Sequence, residues 1–116
     1  MNTVAQRINS QQLAFDGQKQ AVVSGQAQTK RFAVPVNTWQ QLLPINTGRR
    51  FVHIVNLGGN LGYCQVEMTL DHKARNDAFE IDDFNPRFVP TNAIYVYVSD
   101  PLATGSTVVN VQVLEG

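Results

Sequence analysis

The fold is decided most clearly by the stretch Ala93-Ile94-Tyr95-Val96-Tyr97-Val98-Ser99, in which aliphatic and aromatic side chains alternate. Successive side chains of a β-strand point to opposite faces of the sheet. The three aliphatic residues are therefore expected to face a core, and Tyr95 and Tyr97 to lie together on the opposite face. Residues 109–113 alternate valine with asparagine and glutamine in the same way. Both stretches predict strands with one buried face.

Short runs rich in Val, Ile, Phe and Tyr recur from residue 31 onward, separated by Gly, Pro, Asn and Asp. This pattern is typical of strands joined by turns. Pro44 lies in one of the weaker runs and predicts that this run is an edge strand, because proline has no N–H to donate to a second neighbour. The clear runs are residues 32–36, 51–56, 61–68, 93–99 and 107–114, and the weaker ones are residues 39–45 and 78–81.

The spacing of these runs, roughly 8 to 15 residues, is typical of a β-sandwich. We therefore expect an all-β protein, an antiparallel β-sandwich of jelly-roll or immunoglobulin-like type over residues 31–116. An extended N-terminal arm over residues 1–30 would precede it. Residues 71–85 are polar and acidic, which predicts a long exposed loop carrying a short strand.

Residues 1–30 show no sustained hydrophobic period and are rich in glutamine. Their apolar side chains are too sparse for a core of their own, but they are well spaced for docking as an extended segment on a neighbouring protein. Solvated disorder and a short helix within the segment are the alternatives that the composition leaves open. The apolar candidates for such contacts are Leu13, Phe15, Val22 and Val23.

The formal net charge is zero, with nine Lys and Arg against nine Asp and Glu. The molecule as a whole therefore has no electrostatic reason to bind nucleic acid or an anionic membrane, and neither partner is expected. The charge is divided unevenly, because residues 1–58 hold six basic groups and one acid, whereas residues 59–116 hold three and eight. Two interpretations follow: the charges pair within the molecule, or subunits assemble head to tail with the basic arm of one on the acidic face of the next.

The side chains that could carry chemistry are few and scattered. Cys64 is the single cysteine and lies in an apolar run, which predicts an inert buried thiol and excludes an internal disulfide. His53 lies in a strand and His72 in a loop, and no Gly-x-Ser-x-Gly motif occurs. The acids between residues 77 and 83 match no EF-hand spacing. We expect no enzyme, no metal site and no cofactor.

The cation pairs Lys30-Arg31 and Arg49-Arg50 stand beside aromatic residues, as on single-strand nucleic-acid platforms. With zero net charge, we interpret them as charges flanking strands or as partners of the acidic half. No apolar run is long enough to span a membrane, and no signal-peptide core is found at the N-terminus, so we expect synthesis in the cytoplasm.

Three segments carry a resemblance to a known class of proteins. Arg49 to Gly58 follows the form R-x-x-h-x-h-x-N-x-G, where h is apolar, and a strand opening with Gly62-Tyr63 comes next. Pro90 to Val96 and a valine-rich terminal strand ending Glu115-Gly116 complete the pattern. Over residues 46–116 the chain resembles small accessory proteins of tailed bacteriophage particles.

The resemblance implies a capsid decoration or cement protein, or a related minor virion protein. It also implies a homo-oligomer, with a trimer favoured, bound to the major capsid protein or to other virion proteins, synthesised in the host cytoplasm and located in the virion. The arm would tie neighbouring capsid subunits together. In that role the four apolar arm residues would be anchors, and Arg7, Lys19 and Arg31 would set the register.

A carbohydrate- or receptor-binding module, as in a fibre or spike, is the alternative function. β-Sandwiches commonly present aromatic side chains on a flat face. The candidate binding face consists of Trp39, Tyr95 and Tyr97.

Overall fold

The computed structural model describes residues 28–116, which form eight β-strands and one short 3₁₀ helix. The strands are antiparallel wherever they pair. Their bounds are β1 Gln28–Pro35, β2 Trp39–Leu43, β3 Val52–Gly59, β4 Gln65–Leu70, β5 Phe79–Ile81, β6 Asp83–Phe84, β7 Ile94–Ser99 and β8 Val108–Glu115, with the 3₁₀ helix at Arg75–Asp77.

The strands form two four-stranded sheets that pack face to face. Sheet 1 has the order β1-β8-β3-β6, and sheet 2 has the order β2-β7-β4-β5. Every connection between successive strands crosses from one sheet to the other except the one between β4 and β5. Two four-stranded sheets connected in this way are a jelly roll, so the predicted antiparallel sandwich is confirmed, and the immunoglobulin-like alternative is excluded by the strand order.

The core lies between the two sheets and is built from alternate residues of the long strands. The aliphatic residues of β7 are fully buried while its tyrosines are half-buried, as the alternation predicted. Strand β8 repeats the pattern with its valines. Because β-branched side chains pack well on a pleated surface, valine and isoleucine dominate the interior. The largest fully buried aliphatic side chains are Val34, Val52, Ile54, Val66, Met68, Ile94, Val96, Val98, Val109, Val111 and Val113.

Strand β2 lies at the edge of sheet 2, which confirms the prediction made from Pro44. The expected strand over residues 61–68 is wrong in its first half, because β4 begins only at Gln65. Residues 60 and 61 belong instead to a tight turn closed by a bridge between Gly59 and Gly62, in which the Leu61 N–H donates to Ser106 Oγ at 3.0 Å. The alternating pattern thus predicted too long a strand, because the backbone at Leu61 is hydrogen-bonded to Ser106 and not to a neighbouring strand.

The segment over residues 71–85 contains more regular structure than a loop with one strand. It carries the 3₁₀ helix and then β5 in sheet 2 and β6 in sheet 1. Strand β6 was missed because it has two residues, too few to show a period. At the other end of the domain, β1 begins at Gln28, so the expected boundary between residues 30 and 31 falls inside a strand.

Gly59 marks the tightest approach between β3 and its surroundings. A Cβ atom at this position would lie 2.5 Å from Cys64 Sγ and 2.7 Å from Ser106 Cβ, and would also meet Ser106 Oγ. These distances are well inside van der Waals contact, and all three atoms lie on buried residues. Only glycine fits here without displacing the buried side chains of Cys64 and Ser106.

We expect Gly59→Ala to lower the free energy of unfolding by about 1–3 kcal/mol, the usual cost of overpacking a rigid site. Urea denaturation followed by tryptophan fluorescence measures the change. Gly48→Ala is the matched control, because its Cβ would meet nothing closer than Asn46 Oδ1 at 3.5 Å. Equal stability of the two variants would contradict the close packing at Gly59.

Candidate functional site

The outer face of sheet 2 brings together the three aromatic residues that the sequence singled out. Trp39 on β2 is paired with Tyr97 on β7, and their ring centroids lie 5.3 Å apart with planes tilted by 58°. Tyr95 lies two residues away on β7 and therefore on the same face. All three side chains are half-buried. The predicted aromatic face is thus a contiguous surface, and its binding role stays a prediction.

Two cations from the β4–β5 connection lie over these tyrosine rings. The Arg75 guanidinium is 4.3 Å from the centroid of Tyr97, and Lys73 Nζ is 5.6 Å from that of Tyr95. Arg75 also donates two hydrogen bonds of 3.0 Å to Glu67, and these bonds are the largest cause of its raised pKa. Since cations favour the negative face of an aromatic ring, each tyrosine already has an intramolecular partner on one side.

Arg49 is the most deeply buried charged residue in the described part of the chain, with its side chain 0% exposed. Its Nε donates to Glu115 Oε2 at 2.7 Å, and its Nη2 donates to the carbonyl of Pro44 at 2.9 Å. Its Nη1 donates to the carbonyls of Pro90 and Asn92 at 2.5 and 3.0 Å. A buried charge is tolerated when it is paired and hydrogen-bonded in this way.

These partners come from three separate segments that meet at one end of the sandwich. Pro44 precedes β3, Pro90 and Asn92 precede β7, and Glu115 ends β8. Arg49, the Pro90-x-Asn92 segment and Glu115 are also elements of the sequence resemblance. These separate motifs therefore meet in one structural contact. The sequence interpretation of Arg49-Arg50 is therefore half right: Arg49 pairs with the acidic half, but it is buried rather than a surface charge.

The histidines form two separate carboxylate pairs. His53 Nε2 lies 2.5 Å from Asp83 Oδ1, on β3 and β6, and His72 Nε2 lies 3.0 Å from Asp77 Oδ2 at the 3₁₀ helix. In residues 28–116 no group of three His, Cys, Asp or Glu side chains is arranged to hold a metal ion.

Cys64 and Tyr63 are neighbours in sequence but have opposite environments. Cys64 is fully buried, as predicted, with Sγ 3.7 Å from Asp100 Oδ1. The exposed Tyr63 hydroxyl donates to Glu80 at 2.6 Å, and Asp82 Oδ1 lies 3.4 Å away. The pKa of Tyr63 is raised above its ordinary range, first by the hydrogen bond to Glu80 and also by the nearby negative charges. The hydrogen bond and the neighbouring carboxylates thus favour the protonated form of this phenol.

The arm residues proposed as contacts fall almost entirely outside the described part of the chain. Arg31 is the exception, since it lies on the edge strand β1, where it is exposed and donates to Gln112 Oε1 at 2.9 Å. The others, which lie outside the described residues, are Arg7, Leu13, Phe15, Lys19, Val22 and Val23.

Comparison with known proteins adds no relative. No family model, curated protein or solved structure matches this chain. In residues 28–116 there is no helix of the length and apolar character needed to cross a membrane.

We expect Arg49→Met to lower the free energy of unfolding by about 3–5 kcal/mol, because it leaves Glu115 and the carbonyls without their buried donor. Arg50→Met is the matched control, since Arg50 is exposed, and its effect should stay within about 0.5 kcal/mol. Chemical denaturation of both variants measures the difference. Similar losses for the two would show that the buried pairing is not what stabilises this end.

Proposed function

We propose that the protein is a structural component of a bacteriophage virion, a capsid decoration or cement protein that binds the major capsid protein or a related virion protein. The observation that supports this most is the position of β1. Among the described strands it is an edge strand, paired only with β8, and residues 1–27 lead directly into it. A segment joined to an edge can reach a neighbouring subunit without disturbing the core.

The sandwich itself suits a purely mechanical role. Its interior is filled with aliphatic side chains, and one end is held by the Arg49 contacts. A rigid body of this kind can hold a docked segment in place. Because a capsid repeats its binding sites, many weak contacts by identical copies combine into firm attachment. The proposed copies form a homo-oligomer, with a trimer favoured, and the protein is made in the host cytoplasm before it joins the particle.

Deletion of residues 1–26 is expected to abolish attachment to capsids of the encoding phage while leaving β1 and the sandwich intact. Full-length Leu13→Asp/Phe15→Asp should weaken attachment at least about tenfold, because it removes two apolar anchors from each copy on a multivalent lattice. Co-sedimentation of the purified chain with capsids measures both effects.

The matched control is Gln11→Asp/Gln12→Asp, which adds the same two charges to the same segment but keeps the apolar anchors. Circular dichroism checks that each variant keeps its β-structure. Attachment that survives both the deletion and the double anchor variant would remove the arm from the proposal. Full-length protein that does not bind capsids would remove the virion role itself.

A carbohydrate- or receptor-binding face on sheet 2 is the second candidate. The observation in its favour is that Trp39, Tyr95 and Tyr97 share one face. The cations over both tyrosines weigh against it, because sugar rings stack on free aromatic faces.

If this second function holds, Trp39→Ala should abolish binding on a glycan array. Phe88→Ala is the control, since Phe88 is an aromatic residue that is 88% exposed and lies in the β6–β7 connection rather than on a strand of sheet 2. An array on which the wild-type chain binds no glycan would reject the candidate.

A further inference from the structure

The two edges of sheet 1 carry opposite charge. Among the strands of residues 28–116, β1 forms one edge of sheet 1 and bears Lys30 and Arg31, whereas β6 forms the other and bears Asp83, directly preceded by Asp82. Glu80 lies next to them on β5, the edge strand of sheet 2 on the same side. Part of the uneven charge of the sequence, two cations and three carboxylates, thus lies at two opposite edges of the sandwich. We call them the basic edge (β1) and the acidic edge (β5 and β6).

These edges are too far apart to neutralise each other within one molecule. Three strand spacings separate β1 from β6, about 14 Å in total. This exceeds the Debye length of about 8 Å at physiological ionic strength. Within residues 28–116, neither Lys30 nor Arg31 has a salt bridge to a carboxylate.

The acidic edge is also exposed and partly apolar. The side chain of Asp83 is 67% exposed although it contacts His53, and Asp82 and Glu80 are exposed beside Tyr63. Phe79 is 46% exposed, and its ring centroid lies 6.1 Å from that of Phe84. Exposed apolar surface beside polar and charged side chains is typical of a protein contact surface, and the acidic side chains here fit a partner of opposite charge.

We propose that the basic edge of one copy docks on the acidic edge of a second copy, head to tail. The partner is another molecule of this chain, because the chain itself carries the complementary edge. Since the two edges differ, the contact is heterologous, and repeated contacts close into a ring or extend as an open chain rather than form a two-fold dimer. The inference deepens the homo-oligomer of the proposed function by naming its interface, but it does not depend on capsid binding.

Charge reversal on the full-length chain tests the interface. Lys30→Glu/Arg31→Glu makes both edges acidic, and Asp82→Lys/Asp83→Lys makes both basic. Each variant alone should self-associate at least about tenfold more weakly than wild type, because like charges would face each other. An equal mixture of the two should recover association, since each variant then meets a complementary edge. Sedimentation velocity over a range of protein and salt concentrations measures the self-association of each variant and of the mixture.

The matched control is Arg50→Glu/Lys73→Glu, which changes the net charge as much as the first variant but at exposed positions off both edges. It should associate like wild type. The proposal is overturned by a wild-type chain that stays monomeric, as it would if residues 1–27 of the same chain covered the basic edge. A two-fold dimer insensitive to the reversals, or a mixture that fails to recover, also overturns it. Capsid binding that persists in any of these cases would leave the virion role standing.

Discussion

The buried guanidinium of Arg49 is the contact on which one end of this sandwich depends. Removing a charge from water is costly, and the cost is offset only when every donor finds an acceptor. Here the acceptors are Glu115 and three backbone carbonyls from two different connections. The β2–β3 and β6–β7 connections and the end of β8 must therefore come together around one side chain. Asn46 reinforces the contact by donating to the same Glu115 carboxylate at 3.1 Å.

This contact also gives a structural reason for several of the motifs that carry the sequence resemblance. Its Arg, Pro-x-Asn and Glu-Gly elements are far apart in the chain but adjacent in space, around the Arg49 side chain. The Asn56 and Gly58 positions have a separate structural role. The Asn56 side chain accepts from the Gly58 N–H and donates to the Cys64 carbonyl, both at 2.8 Å, beside the register shift between β3 and β8. The motif residues thus stabilise one end of the sandwich and the bulge between β3 and β8, which is a structural role.

The surfaces left by this fold have different characters. The outer face of sheet 2 pairs aromatic rings with cations from its own β4–β5 connection, so much of its binding capacity is used within the molecule. The edges, in contrast, include Lys30 and Arg31, which form no salt bridge within residues 28–116, and exposed carboxylates that lie near the partly exposed Phe79. A jelly roll whose outer face makes its contacts within the molecule and whose edges expose charged side chains is suited to edge-to-edge assembly. This is the physical ground that links the proposed head-to-tail contact to a role in a larger particle.

The sequence by itself determined most of the described strands, their buried faces and the edge position of β2, because period-two alternation and proline chemistry are local properties. It also determined that Trp39, Tyr95 and Tyr97 could share a face. Only the tertiary structure distinguished a jelly-roll strand order from an immunoglobulin-like one. It also revealed that Arg49 is buried and that the two-residue strand β6 exists. The same holds for the separation of basic and acidic edges. These features depend on which strands pair across the sandwich, and such pairing joins residues as far apart as Gln28 and Glu115, which no local pattern encodes.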